Sequence, residues 1–228
     1  MRINSENNYI CENLSFASKE AYKKLRANTL FVLSKSGKDN GAIIGITSST
    51  PFEGKSLTSV NLAYSLAELG GKVLLIDSDM RRSSIHEKLM MDASPGLSEL
   101  IRVSNSVHDA IRTYQSSSND ISFDVIPGGE PSDNPSEMLS SECMDKLLKV
   151  LRSAYDYIIL DLPPVGAVID AVSVGKNIDG MIFVVRENYC PAAAFEESVK
   201  QLRFLGIKII GLVVNGSLKR TAKKYSYY

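Results

Sequence analysis

The chain is poor in cysteine, carries no net charge and has no long apolar run. Its 3 cysteines, Cys11, Cys143 and Cys190, lie far apart with no metal-type pairing. That pattern excludes a disulfide framework and a cysteine zinc site, and free thiols fit a reducing cytosol. Lys plus Arg and Asp plus Glu number 26 each, which argues against a broad basic face for nucleic acid. No apolar stretch approaches the ~20 residues that span a bilayer. Met1–Glu12 is polar, so no signal peptide is expected there. The expectation is a cytoplasmic protein that reaches the inner face of the membrane through a partner. Histidine is scarce too, and His86 and His108 fall in the pattern with no partner suggested. There is no internal repeat.

What the chain does have is core-forming material. Hydrophobic residues make up 44% of its 228 positions, enough for one sizeable domain. Residues 1–14 read as a flexible lead-in, 15–216 as the folded domain and 217–228 as a flexible tail. From Ser15 to Ser34, Phe16, Ala17, Ala21, Leu25 and Leu30 recur near helical spacing. Strand-like runs then fall at 42–47, 72–77, 122–126, 156–161, 179–185 and 207–214. Helical patterns lie at 55–69, 83–90, 97–112, 136–153, 168–176 and 191–205. Val73–Ile76 and Tyr157–Leu160 are apolar almost throughout, as suits parallel strands covered on both faces. The expected fold is α/β: a mostly parallel central sheet with helices on both faces, of the P-loop NTPase type. Ligands are then expected at the carboxyl ends of the strands.

The first strand runs into Ser48-Ser49-Thr50-Pro51-Phe52-Glu53-Gly54-Lys55-Ser56-Leu57. Strand, turn-rich loop, Gly-Lys-Ser and helix is the order of a phosphate-binding loop. Loop N–H groups and a helix N-terminus attract an anion. Lys55 reaches for the β- and γ-phosphates, and the Ser56 hydroxyl is a Mg²⁺ ligand. The ordinary pattern has Gly at position 49, where this chain has Ser. The bland alternative is a turn that opens a surface helix.

Two later strands end in acid. Leu74-Leu75-Ile76 leads to Asp77-Ser78-Asp79-Met80-Arg81, and Ile158-Ile159-Leu160 leads to Asp161-Leu162-Pro163-Pro164. Buried charge is costly unless paired or metal-bound. Together with the loop, three strand ends would aim carboxylates and phosphate-binding groups at one crevice. Ser56 and Asp161 are candidate metal ligands. Asp77 or Asp79 holds the metal's water shell or takes the proton of an attacking hydroxyl. Arg186, closing Phe183-Val184-Val185, is placed near the nucleotide. Asn215, after Ile209–Val214, either reads an adenine edge or simply turns the chain before Gly216.

These motifs resemble the bacterial tyrosine kinases of the capsular and exopolysaccharide branch. That family has Pro-Gly-Glu-Gly-Lys-Ser/Thr, then Asp-x-Asp-x-Arg after one apolar strand and Asp-x-x-Pro after another. Here they read Pro51–Ser56, Asp77–Arg81 and Asp161–Pro164, with Phe52 standing where Gly is usual. Ser49 fits the family. The resemblance spans residues 15–228. It implies Mg²⁺ and ATP/ADP as cofactors and Lys55, Asp77, Asp79 and Arg81 as catalytic residues. Glu20, Lys23 and Arg26 read by themselves as a solvated charged helix face. By resemblance they correspond to a Glu-x-x-Arg-x-x-Arg helix that packs on a neighbouring subunit in a homo-oligomeric ring, with Lys23 in place of the first Arg. Of the chain's 10 tyrosines, Tyr225, Tyr227 and Tyr228 fall in the last four positions. By resemblance they are the autophosphorylation sites, used in trans. The implied partners are a separate membrane adaptor of the polysaccharide co-polymerase type and a cognate tyrosine phosphatase, with no nucleic acid. Two alternatives share the fold. Partitioning ATPases of the MinD/ParA type carry a signature Lys where this chain has Thr50. A non-catalytic nucleotide-sensing scaffold would follow if Phe52 impaired turnover.

Overall fold

The computed structural model describes residues 10–34, 41–103, 106–166 and 173–216. Seven strands form one sheet: β1 (Ala42–Ser48), β2 (Val73–Asp77), β3 (Arg112–Gln115), β4 (Ser122–Ile126), β5 (Tyr157–Asp161), β6 (Gly180–Arg186) and β7 (Ile209–Asn215). Their order is β3-β4-β2-β5-β1-β6-β7. Every neighbouring pair is parallel except the edge pair β3 and β4. The helices are α1 (Phe16–Ser34), α2 (Lys55–Ala67), α3 (Ile85–Leu89), α4 (Leu97–Val103), α5 (Val107–Ala110), α6 (Pro135–Ser140), α7 (Glu142–Ala154) and α8 (Ala192–Phe204).

Alternation along the strands builds two cores. Ile43, Leu74, Ile158 and Phe183 point to one face, with α7 and α8. Ile44, Leu75, Ile159 and Ile182 point to the other, with α2. Both faces being covered is why these strands read as continuous apolar runs. Nearly all of α2 is buried, because α1 packs outside it.

Several expected elements take a different form. The expected helix 97–112 splits into α4 and α5, then becomes strand β3. Tyr114 stacks on Phe123 across the antiparallel pair, with ring centroids 4.9 Å apart. Aromatic and β-branched cross-strand packing overrides helical spacing there. The expected helix 136–153 breaks at Ser141, whose Oγ accepts from Met144 N at 3.2 Å as an N-cap. Most of the expected helix 168–176 lies outside the described residues. The lead-in is fixed from Ile10 onward, since Ile10 is buried in the second core. Glu12 accepts from Tyr114 Oη at 2.8 Å and Ser117 Oγ at 2.9 Å.

Helix α1 also sorts the residues expected at a subunit interface. Arg26 is only 12% exposed and turns into α2, where it donates to Glu68 Oε2 at 2.8 Å and to the Ser65 carbonyl. Glu20 and Lys23 remain on the surface, paired at 2.9 Å. Arg26 thus fixes the helix within its own chain.

Candidate active site

Strands β2, β5 and β1 are neighbours, and their carboxyl ends carry the expected groups side by side. In register, Asp161 faces Ile46 of β1 on one side and Asp77 of β2 on the other. The loop between β1 and α2 rises from the same edge.

That loop is braced from below by Glu53. Its side chain is fully buried and accepts from Thr50 N at 2.7 Å, Thr50 Oγ1 at 2.9 Å and Arg186 N at 3.0 Å. Glu53 therefore shapes the loop from within, its carboxylate taken up by Thr50 and Arg186. Asn215 Nδ2 donates to the Glu53 carbonyl at 2.9 Å, so the end of β7 grips the same loop. The adenine-reading amide and the turn residue expected of Asn215 are joined by this third role. Gly54 has φ 94° and lies so close to Asn215 that a Cβ would meet Nδ2 at 2.4 Å. Only glycine fits there. Phe52 also has positive φ, 64°, and is 61% exposed. Left-handed residues alternating along a loop turn successive N–H groups inward as an anion nest. Helix α2 then starts with no side-chain cap on its first N–H groups. Ser49 is buried beneath the loop, while Pro51 is exposed on it. Leu57 packs its side chain against the second core, one residue past Ser56.

Lys55 is 8% exposed, and no carboxylate of the described residues lies within ion-pair distance of it, although the charge of Asp161 acts on it from nearby. A nearly buried ammonium beside an anion nest fits a phosphate group. Asp161 accepts from Ser59 Oγ at 2.8 Å and lies beside Ser56 and Lys55. Ser84 Oγ donates to Ser56 Oγ at 3.3 Å. Asp77 is held by four donors: Asp79 N at 3.2 Å, Ser83 Oγ at 2.8 Å, Ser84 N at 2.9 Å and Ile85 N at 3.1 Å. It thereby anchors the start of α3. Asp79 is half-buried and accepts from Arg82 N at 3.1 Å, while Arg81 is exposed.

Burial pushes the Asp77 carboxyl up to about 6, against the pull of its hydrogen bonds. Burial, then the charge of Asp77, pushes Asp161 up to about 7. A cation near them would relieve both effects. Among the described residues no cluster of three His, Cys, Asp or Glu could hold a metal. One hydroxyl, one or two carboxylates, phosphate oxygens and waters is nevertheless the set Mg²⁺ takes in such sites. Ser56 and Asp161 fit it, with Asp77 beside them.

Sequence reasoning missed Ser59, Ser83 and Ser84. Ser59 follows Lys55 by one helical turn on a buried face, and that spacing was the available signal. Tyr225, Tyr227 and Tyr228 lie outside the described residues.

The fold and this site define a P-loop nucleotide-binding protein. Residues 42–194 match the AAA domain family. The chain is 33% identical to the tyrosine-protein kinase YwqD of Bacillus subtilis, over 92% of this chain and 85% of that protein. It is 33% identical to the tyrosine-protein kinase etk of Escherichia coli K12, over 95% of this chain but 29% of that longer protein. The kinase domain of E. coli ETK matches with a TM-score of 0.84 at 32% identity, covering 96% of this chain and 83% of the other. MinD of Pyrococcus horikoshii, in complex with Mg-ADP, matches at TM-score 0.62 and 23% identity over 76% of this chain and 70% of the other, which shows the shared fold alone. The chain belongs to the tyrosine-protein kinase family. No helix among the described residues is long and apolar enough to cross a membrane.

Proposed function

We propose that the protein is an autokinase that uses Mg²⁺ and ATP to phosphorylate Tyr225, Tyr227 and Tyr228 of a neighbouring copy. The observation that carries this reading is the convergence of Lys55, Ser56, Asp77 and Asp161 at three adjacent strand ends. The loop N–H groups and the start of α2 bind the phosphates, and Lys55 neutralises charge on the transferring group. Ser56 and Asp161 would hold Mg²⁺, which supplies charge neutralisation between the phosphates. The acidic pair Asp77 and Asp79 supplies the acceptor for the tyrosine proton, and Arg81 lies on the same loop. Glu20 and Lys23 present a charged face for a neighbouring copy in a ring, with Arg26 fixing the helix that carries them. The proposed setting is control of capsular or exopolysaccharide synthesis and export. The recruiting partner is a membrane adaptor, and a cognate phosphatase resets the tail.

The test is direct. The purified protein is incubated with Mg²⁺ and ATP, with and without a candidate adaptor's cytoplasmic segment, and phosphate is mapped by mass spectrometry. Phosphate on the tail tyrosines that vanishes in Lys55→Met supports the reading. Phosphate released to water with unmodified tyrosines overturns it and favours a nucleotide-switched ATPase.

A further inference from the structure

Phe52 and Arg82 come from different loops and meet at the mouth of the site. The Arg82 guanidinium lies over the Phe52 ring, 4.8 Å from its centroid. Arg82 belongs to the loop that leaves β2 through Asp77 and Asp79, and its backbone N donates to Asp79 Oδ1 at 3.1 Å. Phe52 belongs to the phosphate loop and holds a left-handed φ of 64° that glycine adopts far more readily. Its carbonyl accepts from Arg186 Nη1 at 3.3 Å. No carboxylate of the described residues lies within ion-pair distance of Arg82. Arg82 thus sits at the phosphate loop with its charge held by a ring and neutralised by no described carboxylate.

We propose that Phe52 is a positioning residue that holds Arg82 over the phosphate loop, where Arg82 contacts the terminal phosphate of the bound nucleotide. The assignment rests on the nucleotide and kinase reading above. A ring of this size at the loop crest fixes a planar guanidinium without neutralising it. A planar fork of donors then meets phosphate oxygens with charge-assisted hydrogen bonds. Lys55 approaches the phosphates from within the loop, and Arg82 closes on them from the β2 side. Glycine at position 52 would leave Arg82 without its platform. The departure of Phe52 from the family pattern thereby gains a purpose.

The test is calorimetric binding of ADP and of a non-hydrolysable ATP analogue, each with Mg²⁺, to the intact chain. Wild type should prefer the triphosphate. Arg82→Gln should lower that preference on the order of tenfold while ADP affinity holds. Phe52→Leu keeps bulk but removes the π face, and should lower the preference in the same direction. Phe52→Tyr should restore it. An unchanged triphosphate preference in Arg82→Gln overturns the assignment. Loss in Arg82→Gln but none in Phe52→Leu overturns the role of Phe52. A wild type that binds nucleotide but never phosphorylates tyrosine defeats the kinase reading, and the ATP-to-ADP ratio still decides the assignment of Arg82.

Discussion

Asp77 and Asp161 are register partners on adjacent parallel strands, and their side chains are buried to 0% and 1% exposure. Two acids placed this way hold their protons more tightly in the folded chain than in the unfolded one. Between about pH 4 and about pH 7 the folded state therefore binds more protons, and stability falls as pH rises through that window. Urea unfolding in EDTA should show the nucleotide-free protein losing about 1 kcal/mol or more across the window. Asp161→Asn should flatten the dependence. An equally steep loss in that variant would contradict the assignment.

Asp77 and Asp79 should separate structure from chemistry. Asp77→Ala strands the donors of Ser83, Ser84 and Ile85 and should cost about 2–4 kcal/mol. Asp79→Ala should cost under about 1 kcal/mol. Tail phosphorylation should fall sharply in both. Thermal melts beside phosphate mapping check this, and equal melting losses would refute the division.

Glu53 is the strut of the phosphate loop. Glu53→Ala leaves two donors of Thr50 and one of Arg186 without their acceptor. Nucleotide affinity should weaken at least about tenfold, with about 2 kcal/mol lost in stability. Calorimetry on a variant that binds as tightly as wild type would show the loop needs no strut.

Helix α1 offers a contrast between neighbours. Arg26→Ala should cost about 1–2 kcal/mol, because it releases Glu68 and the Ser65 carbonyl. Lys23→Ala should leave the melt unchanged, since its pair with Glu20 is on the surface. In sedimentation, Lys23→Ala should instead shift the protein toward smaller species. No shift would remove Lys23 from the proposed interface.

The site was legible wherever chemistry was local in sequence. Gly54-Lys55-Ser56 after an apolar strand, and acids closing apolar strands, announce themselves without tertiary information. The parallel sheet was legible for a similar reason, since burial on both faces removes alternation. What stayed hidden depends on distant partners. Glu53 is read in full only with Arg186 and Asn215, far away in the chain. The donors that hold Asp77 are supplied only when the start of α3 folds back onto it, which the sequence around Asp77 does not reveal. Strand β3 was masked because Val107, Ala110 and Ile111 extend a helical spacing into a segment that β4 captures. Phe52 was an anomaly in sequence and became intelligible beside Arg82.

The grip of Asn215 on the phosphate loop has a consequence in tether length. The last strand ends at the loop, so the described chain closes beside the site. From Asn215 to Tyr225 a fully extended chain reaches about 35 Å. Four strand spacings, about 19 Å, separate β7 from Asp77 on β2. Reach alone thus admits a molecule's own tail as readily as a neighbour's. The proposed use of a neighbour's tail then rests on the direction in which a tyrosine presents its hydroxyl. The order of tail phosphorylation in protein concentration is the quantity that reads that choice.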